Sequence, residues 1–299
     1  MSLPVLVDSG DALIQLVADA VTSPATQRAY ARAIRDFLSW YAPQRGKRLS
    51  KRLVQRYAQE LRKSGLSPAN VNQRLSAIRT LAREAADNDL LDDRTAAAVG
   101  RVRGIRQEGQ RVGKWLTLSE TESLLSQPDR HTLAGKRDRA LLAVLVGCGL
   151  RRREVATLTL EHVQQRDGRW VLVDLVGKRG RVRSVPMPAW CKALLDEWTR
   201  AAGIRSGRLF RPVNKGDRLA GESLSAEAVY RIVRRYAPDL APHDLRRTHA
   251  QLARKGGAPL EQIQIALGHS SVQTTERYLG TKQDFQDAPC DRLGIRLER

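Results

Sequence analysis

Three short stretches hold residue types suited to chemistry on a phosphate: Gly149-Leu150-Arg151-Arg152-Arg153-Glu154, His243-Asp244-Leu245-Arg246-Arg247-Thr248, and a late run from Leu267 to Tyr278 that includes Gly268 and His269. A phosphodiester resists attack because its non-bridging oxygens repel a nucleophile and its leaving alkoxide is strongly basic. Cleavage therefore needs cations on the oxygens, a nucleophile, and a proton donor for the leaving group. Arginine suits the first task, since its planar fork meets two phosphate oxygens and keeps its charge. His243 and Arg246 are three apart near the start of an expected helix, so they share one face. A helix N-terminus adds a favourable dipole and free N–H groups for an anion. Histidine can exchange a proton near neutral pH. A tyrosine hydroxyl, with a free pKa of about 10, can attack once a base or a cationic site helps to ionise it. Taken singly, each residue has a plainer reading: a surface cation for an arginine, a helix-capping role for His243, a structural role for a lone His or Tyr.

Between the first two stretches lies a basic, strand-like segment, Val176-Gly177-Lys178-Arg179-Gly180-Arg181-Val182-Arg183. Two arginines, a lysine, two histidines and a late tyrosine, in this order, resemble the tyrosine recombinase (phage integrase) family. The resemblance implies roles residue by residue. Arg151, after Gly-Leu, and Arg246, in His-x-x-Arg, match the family's two phosphate-binding arginines. Lys178 fits the hairpin lysine, the general acid for the departing 5′-oxygen, with Arg179, Arg181 and Arg183 as neighbours that lower its pKa. His243 would exchange a proton with the attacking tyrosine, and His269 would hydrogen-bond the phosphate at the family's His/Trp position. Glu154 matches an acidic position that orients the cations rather than reacting. Tyr278 would be the nucleophile, giving a 3′-phosphotyrosyl enzyme and a free 5′-hydroxyl. Because the phosphoester bond energy is conserved, rejoining would need no ATP. No metal and no cofactor are expected, and the sequence shows no clustered Asp/Glu/His set to bind a metal. Family members often carry His where Arg247 stands.

Composition agrees with a polyanionic partner. The 299-residue chain has room for two domains and carries a formal charge of +20. Lys and Arg exceed Asp and Glu by 17 to 10 in residues 1–105 and by 35 to 22 in residues 106–299, so both halves are basic. Hydrophobic residues make up 41%, enough to build cores and to argue against wholesale disorder. The three cysteines, Cys148, Cys191 and Cys290, are odd in number and widely spaced, which suggests neither a disulfide framework nor a metal site. No apolar run approaches a bilayer span and no signal-peptide pattern opens the chain. The expected setting is cytoplasmic and nucleoid-associated, with no membrane partner.

The elements that must position these groups are mainly helical. Apolar residues recur at helical spacing over residues 8–21, after Ser23-Pro24, after Ser50 and after Ser67-Pro68, predicting a four-helix bundle in residues 1–105. Its outward polar residues, Arg28, Arg32, Arg52, Arg56, Asn72, Arg74 and Arg79 among them, are expected to contact DNA phosphates. Residues 98–114 lose periodicity and turn glycine- and arginine-rich; the linker is placed at 106–114, with Arg111 on the DNA. A capping box at Thr117-Leu118-Ser119-Glu120 opens a second domain over 115–299. There, residues 169–176 and 182–187 read as a hairpin, with Arg181 beside its tip as a further DNA contact, and helices are expected near 136–146, 189–202, 225–236, 243–255 and 259–267. The fold class is thus mainly α with a small β-hairpin or sheet: a helical core-binding bundle followed by an α+β catalytic domain of the recombinase type.

The resemblance implies a site-specific DNA recombinase that cuts and rejoins double-stranded DNA at paired inverted half-sites within a homotetramer. Residues 292–298 alternate charged or small with apolar, predicting a strand or extended arm; in the family this segment docks on a neighbouring protomer. Two basic domains on a basic linker suggest a clamp. With seven residues before the bundle, a separate arm-site-binding domain is not expected. A type IB topoisomerase or telomere resolvase would use the same chemistry, and a DNA-binding regulator with a decayed site is the reading from another class. The compact bundle favours the recombinase, and six filled catalytic positions argue against decay.

Overall fold

The computed structural model describes residues 10–44, 48–106, 113–177 and 180–279, so Lys178, Arg179, Arg111 and the tail beyond Leu279 lie outside the described residues. The chain divides into two compact units, Met1–Gly109 and Gln110–Arg299.

The first unit is helical. Helices α1 (Gly10–Asp19), α2 (Pro24–Tyr41), α3 (Lys51–Lys63) and α4 (Pro68–Asp87) arise where apolar spacing predicts them. Pro24 and Pro68 occupy first turns, where a missing N–H costs nothing. Ser50 and Ser67 cap by side chain, but Ser23 does not; the Gln27 amide instead donates to the carbonyls of Ala18 and Val21 at 3.0 and 2.7 Å. A fifth helix, α5 (Asp93–Gly100), was not expected, and its last turn enters the stretch 98–114 that lacks helical periodicity. It is eight residues long and buries one side chain, Val99, and Asp92 caps it at 2.8 Å. The core joins Val17, Ile34, Phe37, Val54, Tyr57, Leu75 and Ile78. Phe37 meets Tyr57 edge-on at 5.1 Å, a favoured aromatic geometry.

The second unit is built round α7 (Leu133–Gly147), whose residues from Ala140 to Val146 are all buried. A helix apolar on every side must lie inside its domain, and each fully buried leucine there contributes about 1.5–3 kcal/mol of transfer free energy. Helices α9 (Ala189–Ala201) and α11 (Pro242–Lys255) pack on it. Helix α6 (Leu118–Ser126) precedes it, opened by the expected Thr117–Glu120 capping box. The short α8 (Arg152–Thr157) follows, then an antiparallel sheet of β1 (Val163–Arg166), β2 (Arg169–Val176) and β3 (Val182–Pro186) in that order. The predicted hairpin is β2–β3, with Leu172 opposite Val185; β1 is an additional strand, pairing Val163 with Leu172. Helices α10 (Ala226–Tyr236), α12 (Leu260–Leu267) and α13 (Val272–Leu279) complete the unit. None of the described helices is long and apolar enough to cross a membrane.

Candidate active site

Arg151 stands at the N-cap of α8, directly after a sharp turn. Gly149 there has φ +59°, and a Cβ on it would come 2.7 Å from the His249 ring. Only glycine meets both demands, so Gly-Leu-Arg is a geometric unit that turns the chain and aims the arginine. The Arg151 N–H and Nη1 each donate to Glu154 at 2.8 Å. Its Nη2 reaches back to the carbonyls of Leu267 and Gly268, at 3.3 and 3.4 Å.

Arg246, on α11, is fully buried; its Nη1 donates to the Gly149 carbonyl and its Nη2 to the Leu267 carbonyl. Its Nε is buried with no partner. Two guanidinium groups therefore converge on one oxygen, the Leu267 carbonyl at the end of α12, where helix carbonyls lack partners and the helix dipole is negative. Gly268 closes that helix at φ +60°, and a Cβ there would strike the Arg183 side chain at 2.9 Å. Burial first, and the neighbouring Arg151 cation second, push Arg246 down to about 9, while the Glu154 carboxylate works the other way.

Glu154 ties the cations together. It is 7% exposed and also accepts from Arg183 Nη1 and Nη2, both at 2.9 Å. Burial acts to raise its pKa, yet the hydrogen bonds and charges of Arg183 and Arg151 hold it down to about 2. It is an anion at neutral pH whose hydrogen-bonded partners are arginines. Arg183, with Nε on the Ala266 carbonyl at 3.0 Å, belongs to this cluster. Sequence reading gave it only a supporting place beside Lys178. The strand period that buries Val185 puts Arg183 on the same face, which is the one signal for it.

Tyr278 sits in the last turn of α13, and its hydroxyl donates to the His243 carbonyl at 3.1 Å. The rings of His243 and His269 both meet it edge-on, with centroids 5.3 Å away. Burial raises the Tyr278 phenol to about 12, against the lowering pull of Arg246 and then Arg247. His243, in the first turn of α11, is open to solvent on one side; packing on the other, with Arg246 and Arg247, pushes it below its ordinary value. His269 falls to about 4 through burial and then Arg246, so its ring is neutral at neutral pH. Its Nδ1 lies 3.0 Å from the hydroxyl of Thr275, a fully buried residue that sequence reading missed. Thr275 precedes Tyr278 by three on α13, so one helix carries both the tyrosine and the anchor of its neighbour.

Of the residues expected to be catalytic, the described ones, Arg151, His243, Arg246, His269 and Tyr278, form one cluster together with Glu154. Gly177, at the hairpin tip, stands beside it: a Cβ there would lie 3.8 Å from Arg151 Nη1. Arg181 is exposed near the same tip, its carbonyl accepting from the Gly177 N–H at 2.7 Å.

The residues expected to touch DNA in the first unit behave differently from one another. Arg28 and Arg32 are exposed and line a hollow with Asn70, Gln73 and Arg74; Arg52 and Arg56 line another with Arg48 and Gln59. Arg74 is paired with Asp36, and Arg56 bonds Gln44, approaches Glu60 at 3.4 Å and covers the Trp40 ring. Asn72 and Arg79 are tied to their own chain. Asn72 both donates to and accepts from the backbone of Ile105, at 2.8 and 2.7 Å, and Arg79 donates to the Val102 carbonyl. These bonds pin the segment after α5, a role that helical periodicity alone does not reveal.

Residues 114–284 match the phage integrase family, and residues 13–88 match the phage integrase N-terminal SAM-like domain. A tyrosine recombinase of Synechococcus elongatus is 29% identical over 307 residues, covering 94% of this chain and 92% of that one. The tyrosine recombinase XerC of Pelobacter propionicus is 28% identical, covering 88% and 86%. Among solved structures, the XerH site-specific recombinase bound to a palindromic difH substrate has a TM-score of 0.68 at 21% identity, covering 87% of this chain and 77% of that one. A lambda integrase dimer bound to a core site has a TM-score of 0.66 at 18% identity, covering 92% and 78%. At such identities the structural likeness is one of fold.

Proposed function

The chain belongs to the phage integrase family, and from that membership we propose that it is a site-specific DNA recombinase in which Tyr278 attacks the scissile phosphate. The observation that carries this reading is the convergence of Arg151 and Arg246 on one carbonyl oxygen, within the cluster that holds Tyr278. A carbonyl is a weak acceptor for two cations. A phosphate oxygen bears more charge and makes stronger charge-assisted hydrogen bonds, so DNA can take over the place that Leu267 holds.

In the reaction the Tyr278 oxygen bonds to phosphorus and the bond from phosphorus to the 5′-oxygen breaks. The phenol proton passes to a base, for which neutral His243 is suited, and Lys178 protonates the departing oxygen. Arg151 and Arg246 stabilise the charge that builds on the non-bridging oxygens. Neutral His269 can donate from Nε2 to one of them when its Nδ1 accepts from Thr275. Reversal by a second 5′-hydroxyl rejoins the strand, so the exchange as proposed uses neither ATP nor a metal. The partner is double-stranded DNA with inverted half-sites, bound by Arg28, Arg32, Arg52 and the hairpin around Arg181, with Arg111 on the linker. The assembly is a homotetramer joined through the tail, acting in the cytoplasm on the nucleoid.

The test uses a nicked suicide duplex carrying the sequence that the full chain selects from a random pool. Wild-type protein forms a covalent adduct on a denaturing gel, and Tyr278→Phe binds the duplex equally well but forms none. Adduct formation by the Phe variant would overturn the assignment.

A further inference from the structure

Arg247 carries a guanidinium for which the motif supplies no role. Side chains one apart on a helix leave in different directions, and Arg247 points away from the Leu267 carbonyl toward the end of α13. There its Nη1 donates to the Tyr278 carbonyl at 3.1 Å, and its guanidinium carbon lies 4.6 Å from the centre of the Tyr278 ring. The carbonyl is one of those that a helix leaves unpartnered in its last turn. The ring face is electron-rich, and it becomes more so when the phenol ionises and the charge spreads into the ring. The guanidinium is also confined. A Cβ on Gly113 would come 2.6 Å from its carbon, and its Nε is buried without a partner. It is therefore seated on the tyrosine and not swung out toward solvent.

We infer that Arg247 is a positioning residue for the nucleophile: it fixes the backbone of Tyr278, lies on its ring, and favours its attacking, anionic form. The inference rests on the reading of Tyr278 as nucleophile. The other charged or titratable groups facing the ring are His243, Asp244 and Arg246 of α11, Arg151 at the start of α8, and His269 before α13. Of these, Arg246 and Arg151 lower the phenol as Arg247 does, while Asp244 raises it.

The experiment compares wild type, Arg247→Met and Arg247→Lys as full chains on the same nicked duplex. Each is made with tyrosine and with 3,5-difluorotyrosine at position 278, whose more acidic phenol brings the titration into an accessible pH range. Arg247→Met should bind the duplex like wild type yet form adduct about tenfold more slowly, the scale of a partly desolvated cation–ring contact. In the difluorotyrosine protein its rate-against-pH midpoint should rise by about one unit, the same tenfold expressed as a pKa. Arg247→Lys keeps the charge and loses the fork, so its midpoint should return toward wild type while its rate stays intermediate. Wild-type rates in the Met variant would overturn the inference. So would a slower rate with an unmoved midpoint in both variants, the signature of a displaced helix alone. If the wild-type chain forms no adduct at Tyr278, the recombinase reading falls as well, and the two failures are told apart by that control.

Discussion

Glu154→Gln removes one charge with almost no change of shape, at the point where the cation cluster depends on it. In the fold the Glu154 carboxylate accepts from the Arg151 N–H and Nη1, both at 2.8 Å, and from Arg183 Nη1 and Nη2, both at 2.9 Å. Its pKa falls from 4.5 to about 2 although burial works the other way. That difference corresponds to roughly 3 kcal/mol favouring the charged form in the folded state. The sign follows from the depression: the stabilisation is complete above the ordinary 4.5 and is lost as pH falls through about 2. Glutamine lacks this contribution at every pH and leaves Arg151, Arg183 and Arg246 facing one another without an anion. Thermal unfolding of the full chain, followed by far-UV circular dichroism, should show the variant melting roughly 6–12 °C lower at about pH 7. The gap should begin to close as the pH falls below about 4.5, because wild type then loses what the variant never had. Equal midpoints at neutral pH, or a gap that stays constant down to about pH 3, would refute the reasoning.

Asn72→Ala should destabilise the first unit by about 1–3 kcal/mol, since it leaves the Ile105 N–H and carbonyl without partners; urea unfolding of the full chain measures this. Thr275→Val should slow adduct formation about tenfold while Thr275→Ser restores it, because only the hydroxyl holds His269; single-turnover cleavage decides, and equal rates in Val and Ser would exclude the role. Lys178→Ala should be rescued by a duplex with sulfur in place of the 5′-bridging oxygen, as a thiolate leaves without protonation; an unchanged defect would point to another acid.

Much of this protein is readable from local sequence. Helix starts at Ser50, Ser67 and Thr117 follow from side chains that satisfy their own neighbouring N–H groups, an interaction complete within a few residues. The paired strands β2 and β3 follow from their composition and the intervening glycines. Chemistry restricts the candidates further, because arginine, histidine and tyrosine in a fixed order suit phosphate cleavage wherever the chain brings them together. Helix α5 and strand β1 escaped because an eight-residue helix with one buried side chain and a four-residue strand are too short for a period to stand out. What only the tertiary structure decided is which groups meet. Arg151 and the Leu267 carbonyl are 116 residues apart, and Arg183 and the Ala266 carbonyl are 83 apart. Helical period tells which face a residue occupies but not what packs against that face. Thus Asn72 and Arg79, outward by pattern, bind their own chain, while Arg247, one residue past a recognised motif, lies on the tyrosine. Such pairings depend on the summed geometry of every helix and turn between the partners, and no local window of sequence contains that sum.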